Sequence, residues 1–269
     1  MTMYNMVMIS EKAYRDFNLT GKGIKIEGGQ GNSYLFGDIF VKKNDGDNRN
    51  IDYISRILSE IKSNLYRVPR PLKSNNGTYI SDGYIAAYYV EGKHDFNDLE
   101  RVMEISREFH RDISIYDPGL MRQEDTQWAM AMDILFRDRE IPEHVDEDNM
   151  EKCICMLNKL ESFEEPLQII HADIGGNIIY NDGQLPCIID FSPCIAPAPM
   201  AEAIAVVDHI AWEGKDISAL GLLEPVSKYL KYIRYAVMFR LLSALCSKTD
   251  SNDLFRSEYN AYIGVWNHL

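Results

Sequence analysis

The chain has 269 residues, with 28 Lys+Arg against 41 Asp+Glu and a formal net charge of -13. Hydrophobic residues make up 46% and charged residues 26%, the balance of a soluble globular protein with one large domain or two lobes. The acid excess argues against nucleic acid or an anionic membrane as main partner, since both polyanions need neutralising Lys and Arg.

The N-terminal residues show no basic segment followed by an apolar one, so no signal peptide is expected. No apolar run approaches the roughly 20 residues of a spanning helix. Five cysteines, Cys153, Cys155, Cys187, Cys194 and Cys246, form no paired CxxC spacing and fit reduced thiols. The expectation is a cytoplasmic protein.

The first ninety residues read as β-rich. Ile24–Glu27 is a strand candidate, followed by Gly28, Gly29, Gln30, Gly31 and Asn32. Ser33–Phe36 and Ile39–Lys43 flank a Gly37-Asp38 turn. Ile51, Ile54, Leu58 and Ile61 recur at helical spacing. Arg70–Lys73 and Thr78–Ser81 surround Asn75-Asn76-Gly77, a hairpin signal because Asn-Gly tolerates positive φ. Tyr84–Val90 closes the sheet.

Past Glu91-Gly92 the pattern turns helical. Helices are expected over Leu99–His110, Thr126–Arg139, Asp148–Phe163, Ala201–Trp212, Leu223–Ser247 and Asp253–Asn267. A second hairpin, Asn177–Tyr180 and Cys187–Asp190, folds around Asn181-Asp182-Gly183. The expected fold class is α+β, with a small β-rich lobe over residues 1–90 and a larger α-rich lobe over 91–269.

The chemistry concentrates in Ile169–Pro193, IIHADIGGNIIYNDGQLPCIIDFSP. The hairpin brings its ends together, so Asn177 at its entry and Asp190 at its exit can share a site. An Asn oxygen and an Asp carboxylate are hard ligands suited to Mg²⁺. Asp173 lies four residues before Asn177, placed to orient or deprotonate a hydroxyl. Loop, hairpin and aspartate in this order are working parts of kinase-type phosphoryl transfer.

His171-Ala172-Asp173 with Asn177, then Ile188-Ile189-Asp190-Phe191, resembles the HxD…N and DFG elements of the aminoglycoside phosphotransferase and choline kinase group. The segment from Gly175 to Trp212 is similar to a bacterial branch of that group with a shortened loop and a DFSP-type sequence. The resemblance follows element order over most of the chain and is motif-specific only near residues 28–43 and 169–212.

It implies the two-lobed protein-kinase-like fold: a small antiparallel β lobe with one main helix and a larger helical lobe. It implies an ATP- and Mg²⁺-dependent transfer of the γ-phosphoryl to a hydroxyl of a small molecule. Asp173 would be the catalytic aspartate, and Asn177 and Asp190 the Mg²⁺ ligands. Gly28, Gly29, Gln30, Gly31 and Asn32 would cover the ATP phosphates, and Lys42 would contact them, with Lys43 the alternative if the strand register slips. Ala87, Tyr88, Tyr89 and Val90 would receive the adenine.

Three departures bear on activity. The Asp173–Asn177 spacing is one residue short of HxDxxxxN, and Gly175-Gly176 could supply the freedom to tighten. Ser192 replaces the DFG glycine. Asn50 stands on the stripe with Ile54, Ile57 and Ile61 where the usual glutamate partner of Lys42 would be; Asp52 and Glu60 face elsewhere. That last departure motivates the alternative of a nucleotide-binding module with weak or no catalysis. His171 and Phe191 read as loop support and core packing, and Asp208 and Glu202 are equal candidates to buttress the catalytic loop.

The acidic run from Glu91 to Asp148 reads first as a solvated helical face. Its functional alternative is an acceptor site for a neutral or cationic small molecule.

Overall fold

The computed structural model describes residues 9–26, 33–44, 46–137, 139–162 and 165–269. The glycine-bearing segment Gly28–Asn32 and Glu27 lie outside the described residues. The chain divides into two compact units. The first comprises Met1–Gly92, Gly119–Arg122 and Asn181–Cys187; the second comprises Lys93–Pro118, Gln123–Tyr180 and Ile188–Leu269.

In the first unit, α1 (Glu11–Asp16) starts where the Ser10 hydroxyl accepts from Ala13 N at 3.1 Å, a cap that satisfies one orphan donor. Then follow β1 (Ile24–Lys25), β2 (Ser33–Phe36), β3 (Ile39–Lys43), α2 (Asn48–Glu60), β4 (Ile80–Ser81) and β5 (Tyr84–Tyr88). The sheet is antiparallel in the order β1-β2-β3-β5-β4. Alternation along β3 sends Val41 into a core with Ala13, Phe17, Leu19, Phe36 and Ala86. Lys42, on the opposite face, sits in register between Ser33 and Ile85.

The expected hairpin around Asn75-Asn76-Gly77 is not a strand pair. Those residues form a turn closed by Ser74 N to Thr78 O at 2.7 Å, and Asn75 N donates to Asp16 O. Pro69 and Pro71 lack the N–H groups a ladder needs, so Arg70–Lys73 gives only an isolated bridge from Pro71 to Ala87. The true hairpin joins β4 and β5 through Asp82 and Gly83, both at positive φ (49° and 77°).

The second unit contains β6 (Lys93–His94), α3 (Leu99–Ile113), α4 (Gln127–Phe136), α5 (Glu147–Leu157), β7 (Gln168–His171), β8 (Ile178–Tyr180), the Ile188 end of β9 (Cys187–Ile188), β10 (Pro193–Ala196), α6 (Pro199–Ala211), α7 (Val226–Leu245) and α8 (Ser251–His268). Asp98, Thr126 and Asp146 side chains cap α3, α4 and α5. Helices α4 and α5 stop short of their sequence-based ends, at Phe136 and Leu157.

Strand β10 was not expected. It pairs antiparallel with β7, from Pro193 opposite His171 to Ala196 opposite Gln168, with its proline tolerated as the first residue. Helix α7 is buried around most of its circumference, through Tyr232, Ile233, Ala236, Val237, Phe239 and Leu242. Among the described residues, no helix is long and apolar enough to cross a membrane.

Candidate active site

Local backbone geometry places Asp173 between β7 and a 3-10 turn, Ile174–Gly176. The short spacing to Asn177 is met by that turn rather than by a left-handed glycine, since neither Gly175 nor Gly176 has a positive φ. Gly175 is needed for close packing instead. A Cβ there would lie 3.1 Å from Ala205 Cα on α6.

Two buried histidines hold the loop. His110 Nδ1–H donates to Ser106 O at 2.7 Å, leaving Nε2 to accept from His171 N at 2.9 Å. His171 Nδ1 accepts from Asp173 N at 3.2 Å, and Nε2–H lies 3.3 Å from Ile189 O. Burial pushes His110 down to about 3 and His171 down to about 4, so both rings are neutral at pH 7. Phe191 packs edge-on against Phe109 and His171, at centroid distances of 5.3 and 5.2 Å.

The hairpin ends meet through the backbone: Ile189 N donates to Asn177 O at 2.9 Å. Asn177 Nδ2 donates to Asp173 O at 2.7 Å and to Asp173 Oδ2 at 2.9 Å. Committing the amide nitrogen leaves the amide oxygen as a hard donor. Asp190 has φ 46°, a left-handed conformation uncommon for a non-glycine residue and often associated with function. One amide oxygen and one carboxylate fit a Mg²⁺ ion that keeps waters and phosphates as its other ligands. Among the described residues, no cluster of three or more His, Cys, Asp or Glu could hold a metal by itself.

The residue that sequence reasoning missed is Arg240. It is 8% exposed and lies on α7. Its Nη2 donates to Asp173 Oδ1 at 2.7 Å and to Asp208 Oδ2, while Nε donates to Asp208 Oδ1 at 3.0 Å. Burial opposes its charge, but Asp208 and Asp173 outweigh burial and hold the guanidinium well above its ordinary value. Tyr262 OH donates to Asp208 Oδ1 at 2.6 Å and accepts from Trp212 Nε1 at 2.9 Å. The guanidinium also lies 5.4 Å from the Trp128 ring centroid. Asp208 is thus the acid that reaches the loop carrying Asp173, through Arg240. Glu202 instead pairs with Arg107, its Oε2 2.8 Å from Nη2.

A cavity of about 360 Å³ opens beside Asp173. The acidic run 91–148 lends it only Phe96, Gln127 and Trp128, none of them charged. Its carboxylates, Asp173, Asp208, Glu213 and Glu258, come from later in the chain.

In the first unit, Asn50 is 2% exposed and bound twice to main chain: Nδ2 donates to Arg122 O at 2.9 Å, and Oδ1 accepts from Arg122 N at 2.7 Å. The position expected to hold a glutamate for Lys42 therefore anchors Gly119–Arg122 to α2. Asp52 accepts from Arg56 and from Tyr79 N. Asn50→Ala strips two buried backbone groups of partners and is expected to cost about 2 kcal/mol, read as a lower unfolding midpoint in urea. At the end of β5, Tyr88 N donates to Arg70 O and Tyr89 N to Asp38 O, so these two N–H groups are already engaged.

No family profile matches the sequence, and comparison with curated proteins finds no relative. Solved structures do match. Choline kinase LicA from Streptococcus pneumoniae superposes with a TM-score of 0.63 at 13% identity, covering 96% of this chain and 97% of that one. A thermostable aminoglycoside phosphotransferase APH(4)-Ia in its apo form gives 0.60 at 15% identity, with 95% and 97% covered. Spectinomycin phosphotransferase APH(9)-Ia, solved with ADP and spectinomycin, gives 0.54 at 14%, with 93% and 90% covered. The chain has the two-lobed α+β protein-kinase-like fold. Within that fold it is similar to the aminoglycoside phosphotransferase and choline kinase group.

Proposed function

We propose that the protein is a small-molecule phosphotransferase that moves the γ-phosphoryl of ATP to an acceptor hydroxyl. The observation that carries this reading is the Asp173–Asn177 pair, locked by two hydrogen bonds next to the backbone bond that joins Asn177 to the Asp190 hairpin end.

Asp173 accepts the acceptor's O–H proton as the new P–O bond forms and the bond to the β–γ bridging oxygen breaks, releasing ADP. Each of its oxygens carries more than one lone pair, so the bonds from Arg240 and Asn177 leave capacity for that proton. Asn177 and Asp190 would hold Mg²⁺, which neutralises phosphate charge when bound. Lys42 contacts the α/β-phosphates, and Gly28–Asn32 covers them. The backbone of Ala87, Tyr88, Tyr89 and Val90, at the end of β5, receives the adenine. Positioning and electrostatics supply most of the acceleration in such reactions. The acceptor is a neutral or cationic small molecule, and the protein acts in the cytoplasm.

A second reading is a nucleotide-binding module without turnover. Asn50 favours it, because its amide is committed to Arg122. Melting with MgATP tests the binding common to both. MgATP at 100 times its Kd should stabilise the protein by about 2.7 kcal/mol, read as a higher Tm. Asp190→Ala should remove most of the Mg-dependent part. An unshifted Tm at saturating MgATP contradicts both readings.

A further inference from the structure

The loop that carries Asp173 has little to hold that side chain with. Between Asp173 and Asn177 stand only Ile174, Gly175 and Gly176, none with a polar side chain. The Asp173 carboxylate is half exposed, so packing does not fix it either. Its two oxygens are instead held from two sides. Oδ2 accepts from Asn177 Nδ2 at 2.9 Å, and Oδ1 accepts from Arg240 Nη2 at 2.7 Å. The Asn177 bond alone leaves the carboxylate free to swing about it. The two bonds together fix its plane.

Arg240 is built as the fixed end of that second bond. Its Nε and Nη2 make a bidentate pair with Asp208. That pair already balances the guanidinium charge, so the further bond to Asp173 is not needed to keep a buried cation. Asp208 is held in turn by Tyr262 OH, and Tyr262 by Trp212 Nε1. The guanidinium lies 5.4 Å from the Trp128 ring centroid and 5.3 Å from that of Phe239. Helices α6, α7 and α8 thus all bear on one guanidinium, and its outward bond goes to the half-exposed carboxylate on the cavity wall. A side chain locked by its own partners is what holds a reacting group to a productive angle.

We infer that Arg240 is a positioning residue for the transfer: it acts through Asp173, holding that carboxylate at the angle from which it meets the acceptor hydroxyl. The inference rests on the phosphotransferase reading and assigns a role that no side chain between Asp173 and Asn177 can fill. The proton still passes from the acceptor to Asp173, and none passes through the guanidinium. Lysine is a poor substitute, because a compact point charge cannot bridge two carboxylates as a planar fork does.

A structural role and a positioning role part company in one measurement. Both lower stability when the cation is removed. Only the positioning role keeps kcat low once stability is regained. Adding Asp208→Asn to Arg240→Met removes a stranded charge but supplies nothing to hold Asp173.

The test measures kcat and KM for MgATP on the full chain, with an acceptor found by panel screening. The temperature is one at which far-UV circular dichroism shows each variant folded. Arg240→Met should lower kcat about 100-fold, with KM for MgATP within about twofold of wild type. Arg240→Lys should fall between the two. The double variant, Arg240→Met with Asp208→Asn, should melt higher than Arg240→Met. Its kcat should still lie about 100-fold below that of Asp208→Asn alone. Wild-type kcat in folded Arg240→Met or Arg240→Lys, or a double variant level with Asp208→Asn in kcat, overturns the inference. If Arg240→Met does not fold, Arg240→Lys and the double variant decide. A wild type that transfers phosphoryl to no acceptor overturns the phosphotransferase reading and this role with it. An active wild type with an equally active Arg240 variant overturns this role alone.

Discussion

Asp173→Asn is expected to lower acceptor phosphorylation about 100- to 10,000-fold while MgATP binds within about twofold of wild type. The substitution is isosteric. It keeps an oxygen for Arg240 but removes the carboxylate that takes the acceptor proton. Asn177, bonded to the Asp173 carbonyl as well as to its carboxylate, retains one of its two anchors. The measurement is steady-state ADP release with an acceptor found by panel screening, set beside a nucleotide titration. Because the loss is confined to the chemical step, kcat should fall with little change in KM for MgATP. Unchanged turnover would remove Asp173 from its role.

Arg240→Met is expected to be the most damaging single change to stability in the second unit. It leaves two carboxylates, Asp173 and Asp208, facing each other without the buried cation between them. Removing the cation of this network costs about 3 kcal/mol, the low end for breaking a buried ion pair, because Asp208 stays largely desolvated whereas the Asp173 side chain, 45% exposed, rehydrates. For a protein of this size that corresponds to a Tm lower by about 10 °C. Adding Asp208→Asn to Arg240→Met should recover part of the loss, because it removes one stranded charge. A double-mutant cycle isolates the coupling. A loss below about 1 kcal/mol would show that the network contributes little.

Legibility in the sequence followed the locality of the contacts. Asp173, Asn177 and Asp190 stand within eighteen residues along one loop and hairpin, so their proximity could be argued from the turn alone. The β2–β3 pair was readable through Gly37, which turns at φ 61°. The β4–β5 turn was missed because two Asn/Asp-Gly signals compete there. The prolines on one flank of Asn75-Asn76-Gly77, together with its bonds to α1, remove it from strand pairing.

Arg240 was hidden by distance, 67 residues from Asp173. Its trace was a lone cation in the apolar run Tyr235–Leu245, a placement that in retrospect needs a buried anion. Tyr262, on α8, donates to Asp208 from 54 residues away, and nothing local in the sequence pointed it there. The missing glutamate on α2 was visible as Asn50. What the sequence could not convey is that its amide matches both backbone groups of Arg122, a pairing a carboxylate could only half make.

The central claim is phosphoryl transfer, and its most direct test follows the γ-phosphate itself. The protein is incubated with γ-labelled MgATP and a panel of amino alcohols, sugars and nucleosides, and label is sought in an organic phosphate ester. The account predicts labelled ester with at least one acceptor of the panel, absent without Mg²⁺ and lost in Asp173→Asn. MgATP binding with no labelled ester from any acceptor would contradict it and leave a nucleotide-binding module.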